Sequence, residues 1–87
     1  MEYSSEEIGR RGEKLYEEKL RDCVETEKNI GKIISIDVDT GDYEIDDDLI
    51  KAGDRLLVRH PGASLYGRRI GYDAVYAVGG TLVKTVR

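Results

Sequence analysis

The chain has 87 residues, 18 acidic and 14 basic side chains, and a formal net charge of −4 at pH 7. A chain of this length is expected to form one domain over residues 1–87 with one hydrophobic core, because it buries too little surface for two cores. No apolar run reaches the roughly 18 residues of a membrane-spanning helix, and the acidic start lacks the apolar stretch of a secretory signal. The single cysteine, Cys23, excludes an intrachain disulfide and a cysteine metal framework. These features predict a cytoplasmic protein with no membrane partner.

The charge is distributed unevenly along the chain. Residues 1–48 carry sixteen acids against seven bases, and residues 49–87 carry two acids against seven bases. We expect the two halves to fold against each other and neutralise one another. A basic binding face in the second half is the alternative.

The first predicted element is a helix that begins after Ser4. Ser4 and Glu7 have the spacing of a capping box, and Tyr3 and Ile8 have the spacing of a hydrophobic staple. The following apolar positions recur with a period near 3.6: Ile8, Leu15, Tyr16, Leu20, Cys23 and Val24. The pattern therefore predicts a helix that ends between residues 24 and 29.

Two glycines interrupt the start of this helix. Gly9 and Gly12 each weaken a helix by up to ~1 kcal/mol relative to alanine, unless they permit close packing. Cys23 lies on the predicted apolar face, where a small core residue is the expected role.

The pattern then changes to a strand period. In residues 32–38, apolar and polar side chains alternate, which is typical of a half-buried strand. Residues 39–42 read Asp-Thr-Gly-Asp and predict a turn, after which Tyr43 and Ile45 resume the alternation. These segments predict a β-hairpin.

A second helix is predicted after the hairpin. Residues 46–48 are three aspartates that can each cap a helix, and Pro61 ends it. One face is expected to carry Leu49, Ala52, Gly53, Leu56, Leu57 and His60.

The rest of the chain predicts two or three strands. The candidate strands are residues 63–70, 74–78 and 81–86, separated by turns at residues 71–73 and 79–80. The predicted fold class is α+β, in the order α-ββ-α-ββ(β), with a mostly antiparallel sheet and both helices on one face.

Seven carboxylates around the predicted hairpin form the densest polar feature: Asp37, Asp39, Asp42, Glu44, Asp46, Asp47 and Asp48. They begin like a calcium loop, but Gly41 and Asp42 stand where such a loop needs a ligand and a glycine, respectively. A solvated hairpin tip followed by helix caps is therefore favoured over a metal site. Whether the acidic hairpin binds metal or only solvent stays open.

The sequence contains residues for two catalytic arrangements, and neither arrangement is favoured. Asp39-Thr40-Gly41 matches the active-site triplet of dimeric aspartic proteases, but it is also an ordinary turn sequence. Cys23 and His60 form a nucleophile and base only if the fold brings them together. No glycine-rich loop has the spacing of a phosphate cradle. We therefore predict no enzyme activity, no catalytic or metal residues, no cofactor and no identified small-molecule substrate.

Basic and aromatic side chains offer a possible binding surface in the second half. Lys51, Arg55 and Arg59 recur every four residues and predict a stripe on the second helix, which could bind nucleic acid. The residues predicted to bind a protein partner lie in and around the last strands: Tyr66, Tyr72, Tyr76, Arg68 and Arg69.

Three segments resemble a family of short bacterial proteins of unknown function, common in cyanobacteria: residues 8–17, 36–46 and 69–80. The resemblance covers most of the chain. It implies a small protein encoded beside a second one, sometimes protease-like, and hence an antitoxin-like or accessory role. It carries no catalytic residues to this sequence.

The function that these patterns favour is a non-enzymatic interaction module. It would bind a protein partner or a second copy through an exposed strand edge or the tyrosine-bearing C-terminal hairpin. The alternative is a nucleic-acid-binding protein that uses the basic stripe of the second helix.

Overall fold

The computed structural model describes residues 3–72 and the backbone of residues 75–77 and 83–85. In chain order the elements are α1 (Ser5–Leu15), a π-helical segment (Tyr16–Leu20), α2 (Arg21–Val24), β1 (Ile33–Asp37), β2 (Tyr43–Asp46), α3 (Leu49–Arg59), β3 (Leu65–Arg69), β4 (Val75–Ala77) and β5 (Val83–Thr85). The first three follow without a break and together form the N-terminal helix. The α+β class and the predicted order of elements are confirmed.

The strands form one antiparallel sheet in the order β2-β1-β3-β4-β5. In its register, Ile34 lies between Ile45 and Arg68 on the two neighbouring strands. Of the predicted C-terminal strands, the described parts are Leu65–Arg69, Val75–Ala77 and Val83–Thr85. The predicted turn at residues 79–80 lies outside the described residues.

The two helical layers pack on opposite faces of this sheet. A Cβ atom on Gly12 of the N-terminal helix would meet Tyr66, whereas one on Gly53 of α3 would lie 3.5 Å from Leu65. Tyr66 and Leu65 are neighbours in β3, so their side chains point to opposite faces. The prediction that both helices share one face is therefore wrong. The cause is visible in β1, whose five residues are all buried, because a strand covered on both sides loses the exposed half of its alternation.

Local signals fix the start of the N-terminal helix. The Ser4 side chain accepts a hydrogen bond from the Glu7 backbone N–H at 3.1 Å, as the cap predicts. The Glu7 carboxylate does not close the capping box but pairs with Arg10 at 2.7 Å. Tyr3 packs against the core and donates its hydroxyl to Asp39 at 2.5 Å, which ties the helix start to the turn after β1.

The π-helical segment was not predicted, and its cause is a spacing of four residues. The side chains that face the sheet are Ile8, Gly12, Tyr16, Leu20 and Val24. In an α-helix of 3.6 residues per turn, a row spaced by four rotates by about 40° at each step. A π turn, closed by i→i+5 bonds, rotates less per residue and returns the row to the sheet.

This shift of phase also moves Cys23. Val24 is buried against the sheet, while Cys23 is an exposed free thiol. The prediction that Cys23 is a core residue is therefore wrong. It assumed an uninterrupted 3.6-residue period through the helix.

Helix α3 begins and ends where the sequence indicates. Asp48 is the N-cap, and its Oδ1 accepts from the backbone N–H groups of Ile50 at 2.8 Å and Lys51 at 3.3 Å. Ala52 and Leu56 are the buried residues of the helix, which ends before His60. Helix α3 therefore lies across β1 and β2 with only a narrow buried face.

Candidate functional site

The turn after β1 is built by its own acidic residues. Asp37 is buried, and its two carboxylate oxygens accept from the Asp39 backbone N–H and the Thr40 hydroxyl, both at 2.9 Å. Gly41 adopts a φ of 82°, which glycine adopts without strain. The Asp-Thr-Gly triplet therefore acts here as turn chemistry, and the buried carboxylate of the turn is Asp37, which precedes the triplet.

The basic stripe of α3 lies against the acidic strand β2. Arg55 pairs with Glu44 and Asp46, each at 2.9 Å, and Arg59 pairs with Asp42 at 3.0 Å and with Glu44. Both guanidinium groups also donate to backbone carbonyls of β2. The acidic first half and the basic second half neutralise each other along this seam, as the charge distribution predicted.

These pairs hold the acidic side chains in their charged form. Arg59 and His60 lower the pKa of Asp42 to about 2, and Arg55 and Arg59 lower the pKa of Glu44. Within residues 3–72, no group of three or more His, Cys, Asp or Glu side chains is placed to hold a metal ion. The acidic side chains of the hairpin and the helix cap instead bind arginines and backbone N–H groups.

The nucleic-acid interpretation depends on the same stripe. Arg55 and Arg59 donate their hydrogen bonds to β2 and to Asp42 before it. In the described part of the chain, Lys51 is the one residue of the stripe that is exposed without an ion pair. A phosphate backbone would have to displace four ion pairs to reach the two arginines. Nucleic-acid binding stays a prediction that these contacts oppose.

Arg68 lies in a buried cluster between the N-terminal helix and the sheet. Its side chain is 2% exposed. The guanidinium stacks on the Tyr16 ring, 3.8 Å from the ring centre. It also donates to Glu13 at 3.1 and 3.2 Å and to the Tyr72 carbonyl at 2.5 Å. Tyr66 donates its hydroxyl to the same Glu13 carboxylate. We refer to Arg68, Glu13, Tyr16 and Tyr66 as the arginine cluster.

The environment of the cluster raises the pKa of both of its phenols. Burial, followed by the hydrogen bond to Glu25, raises the pKa of Tyr16 to about 12. Burial and the hydrogen bond to Glu13 raise the pKa of Tyr66 still further. The cluster connects the N-terminal helix to β3, and neither of its two phenols is poised to exchange a proton near neutral pH.

The residues predicted to bind a partner differ in how far they are exposed. Tyr66 and Arg68 are buried in the arginine cluster and offer no surface to a partner in this arrangement. Arg69 is half-buried and donates to the Gly31 carbonyl at 2.6 Å. Tyr72 is 52% exposed, and the side chain of Tyr76 lies outside the described residues.

The structure separates Cys23 from His60. Cys23 follows the π-helical segment on the N-terminal helix, while His60 ends α3 on the opposite face of the sheet. The His60 ring instead contacts Asp42 at 2.9 Å and lies 3.8 Å from Asp37, at the hairpin-turn end of the sheet. The two side chains are not brought together as a catalytic pair.

Three large apolar side chains are left exposed on α3. Val58 is 81%, Ile50 66% and Leu57 37% exposed. Ile50 and Leu57 are seven residues apart and therefore share a side of the helix, with Val58 beside them. We refer to these three residues as the α3 outer face. The prediction that Leu57 lies on the buried face of the helix is therefore wrong. Ile50 and Val58, which the predicted buried face did not include, indicated in the sequence that a second apolar face exists.

Comparison of the chain with protein-family models, curated proteins and solved structures finds no match. Within the described residues, no helix is long and apolar enough to cross a membrane. The resemblance to a cyanobacterial family therefore stays a prediction.

Proposed function

We propose that this chain is a non-enzymatic interaction module that associates with a second copy of itself through the α3 outer face. The observation that carries the proposal is the exposure of Ile50, Leu57 and Val58 on one side of a helix. Single exposed apolar residues are ordinary, but neighbouring ones on an unpartnered helix indicate a contact surface.

The apolar residues on this face can pair with those of a second copy, and two polar residues lie beside them. Lys51 and Asp54 are exposed and one helical turn apart, beside the apolar residues. In an antiparallel pair of α3 helices related by a two-fold axis near Asp54, Ile50 lies opposite Val58 of the second copy. Each Lys51 then lies within one turn of Asp54 of the second copy. The two Asp54 carboxylates also approach each other near the axis, so the apolar contacts rather than the charges favour the pair.

The seam of ion pairs with β2 keeps this face free for such contact. Because Arg55 and Arg59 are directed at β2, they do not stand between the two apolar surfaces. Their neutralisation also removes the repulsion that two basic helices would otherwise experience.

The surface is small, so the association is expected to be weak. Burying a mostly exposed Ile or Val stabilises a complex by about 1–2 kcal/mol, and a two-fold pair buries four such side chains. This gain of about 4–8 kcal/mol has to exceed an association cost of at least ~4 kcal/mol. The net gain is therefore at most ~4 kcal/mol, which corresponds to a dissociation constant of about 1 mM or weaker.

The test is sedimentation equilibrium of the wild type and of Val58→Lys over roughly 0.1 to 3 mM. The wild type is expected to gain mass with concentration, and Val58→Lys is expected to remain a monomer. Lysine is the better helix former, so α3 itself should not be weakened.

Ile30→Lys provides the matched control, because Ile30 is also exposed but lies outside α3. It should associate like the wild type. Equal loss of association in both variants, or a wild type that stays a monomer at the highest concentration, would contradict the proposal.

The finer predictions belong to the same proposal. Binding of a different protein, in an antitoxin-like or regulatory role, would use surfaces left free by self-association. A cytoplasmic location is part of this proposal.

A further inference from the structure

A shallow groove lies on the other side of the sheet, between the N-terminal helix and the turn after β1. Its volume is about 210 Å³. The residues that line it are Arg11, Lys14, Leu15, Glu18, Lys19 and Val38. We refer to it as the N-terminal groove.

The floor of the groove is apolar and its structure is fixed by the fold. Val38 is buried in the core, and Leu15 packs against the same core from the helix. A Cβ atom on Gly41 would lie 3.8 Å from Leu15, so the turn after β1 packs closely beside Leu15. Tyr3 holds the far side of this turn through its hydrogen bond to Asp39.

The rim of the groove is basic although the protein is acidic. Three of its residues are cations and one, Glu18, is an acid. Arg11 pairs with Glu7 at 3.1 Å. Lys14 and Lys19 are exposed, and within the described residues neither has an ion pair. Glu18 likewise has no ion pair within the described residues, so the unpaired side chains of the rim are two lysines and one glutamate, a net charge of +1 around an apolar floor.

The size of the groove limits what it can hold. Its volume of about 210 Å³ is what about seven water molecules occupy in liquid water. This is below the 300–1,000 Å³ of ordinary ligand pockets. One large apolar side chain fills such a space, whereas most of a nucleotide or an organic cofactor would stay in solvent. The neighbouring lysines would then contact carboxylates that flank the inserted side chain.

We propose that the N-terminal groove binds an acidic segment of a protein partner, which inserts one apolar side chain over Leu15 and Val38 and places carboxylates against Lys14 and Lys19. The inference shares with the proposed function only the premise that the chain binds proteins. It concerns the opposite face of the sheet, so the two surfaces can be occupied together.

The test is fluorescence anisotropy of a short labelled peptide of alternating glutamate and leucine, added to the full chain. The peptide is expected to bind, and a glutamate–serine peptide and a lysine–leucine peptide are expected to bind at least about tenfold more weakly. Binding should weaken as salt is raised, because rim charges are screened. Failure of the glutamate–leucine peptide to bind, or equal binding of the glutamate–serine peptide, would overturn the inference.

Matched variants locate the contact. Lys14→Glu and Lys19→Glu should each weaken binding several-fold, whereas Lys28→Glu, an exposed lysine outside the groove, should not. Equal losses in all three would show a non-specific charge effect and overturn the assignment. Binding of octanoate without binding of the peptide would also overturn it, in favour of a small carboxylate.

The failure of this inference and that of the proposed function are distinguishable. Val58→Lys should leave peptide binding unchanged, because Val58 lies outside the groove. Lys14→Glu and Lys19→Glu should leave self-association unchanged.

Discussion

Alanine in place of Gly12 would put a Cβ atom 2.0 Å from Cγ and 2.3 Å from Cβ of Tyr66. These atoms belong to the stem of a fully buried ring whose hydroxyl is bound to Glu13, one residue along the same helix. The ring cannot swing aside without breaking that bond. The N-terminal helix must therefore move away from the sheet.

The magnitude follows from two opposing effects. Alanine favours a helix interior over glycine by ~1 kcal/mol, whereas inserting a methyl group into a packed core costs about 1–3 kcal/mol. Because the overlap involves the stem of the ring, we take the upper part of this range and expect a net loss of about 2 kcal/mol. For a domain of this size, that lowers Tm by about 8–16 °C.

Gly9 provides the control in the same helix. A Cβ atom on Gly9 meets nothing within 4 Å, so Gly9→Ala should gain the full ~1 kcal/mol of helix propensity. Urea denaturation followed by far-UV circular dichroism measures both variants. The packing argument would be refuted if Gly12→Ala stabilised the protein as much as Gly9→Ala.

The remaining predictions concern buried polar groups and pH. Arg68→Ala removes a buried side chain that stacks on Tyr16 and leaves a cavity, so it should lower the free energy of unfolding by ~3 kcal/mol. Arg68→Met, which fills most of that space, should cost clearly less; equal losses would contradict the cavity argument. Ser35→Ala should raise the free energy of unfolding by ~1 kcal/mol, because the buried Ser35 hydroxyl has no partner within the described residues, and a loss in urea denaturation would contradict this. The pKa of Tyr16 is raised to about 12, so the stability it contributes is full below pH 10 and is lost as the pH rises toward 12; phenolate absorbance should show this group ionising only with unfolding. The lowered pKa of Asp42 contributes stability that is full above pH ~4 and is lost as the pH falls toward 2, so Tm should fall in that window, and less so for Asp42→Asn.

The parts of the fold that the sequence predicts are those with local causes. The Ser4 and Asp48 caps, the turn at Gly41 and the end of α3 before Pro61 each depend on residues within a few positions of one another. These contacts form in any fold that contains the element. A single sequence therefore indicates them well.

The parts that were wrong depend on contacts between distant segments. Cys23 was placed in the core because a period of 3.6 was assumed through the helix, although the four-residue spacing that ends at Val24 was already present in the sequence. Both helices were placed on one face because Ser35 and Asp37 look like exposed positions. They are buried beneath α3 and at the turn, which only the tertiary structure shows.

The candidate site illustrates the same limit. Tyr66 and Arg68 have the composition of an interface, but pairing with Glu13, more than fifty residues earlier, buries them. Neutralisation of the acidic half by the basic half was predicted from the charge distribution, but its location between α3 and β2 was not. The individual partners of Arg55 and Arg59 follow only from how α3 lies across the sheet.

The claim that the α3 outer face is the contact between two copies is tested most directly by amide NMR spectra recorded at increasing protein concentration. Between roughly 0.1 and 3 mM, the resonances of Ile50, Asp54 and Val58 are expected to shift together along one binding curve. The resonances of β2 and of the N-terminal groove should stay in place. Shifts confined to Tyr72 and the strands after it, or no shift anywhere, would contradict the account.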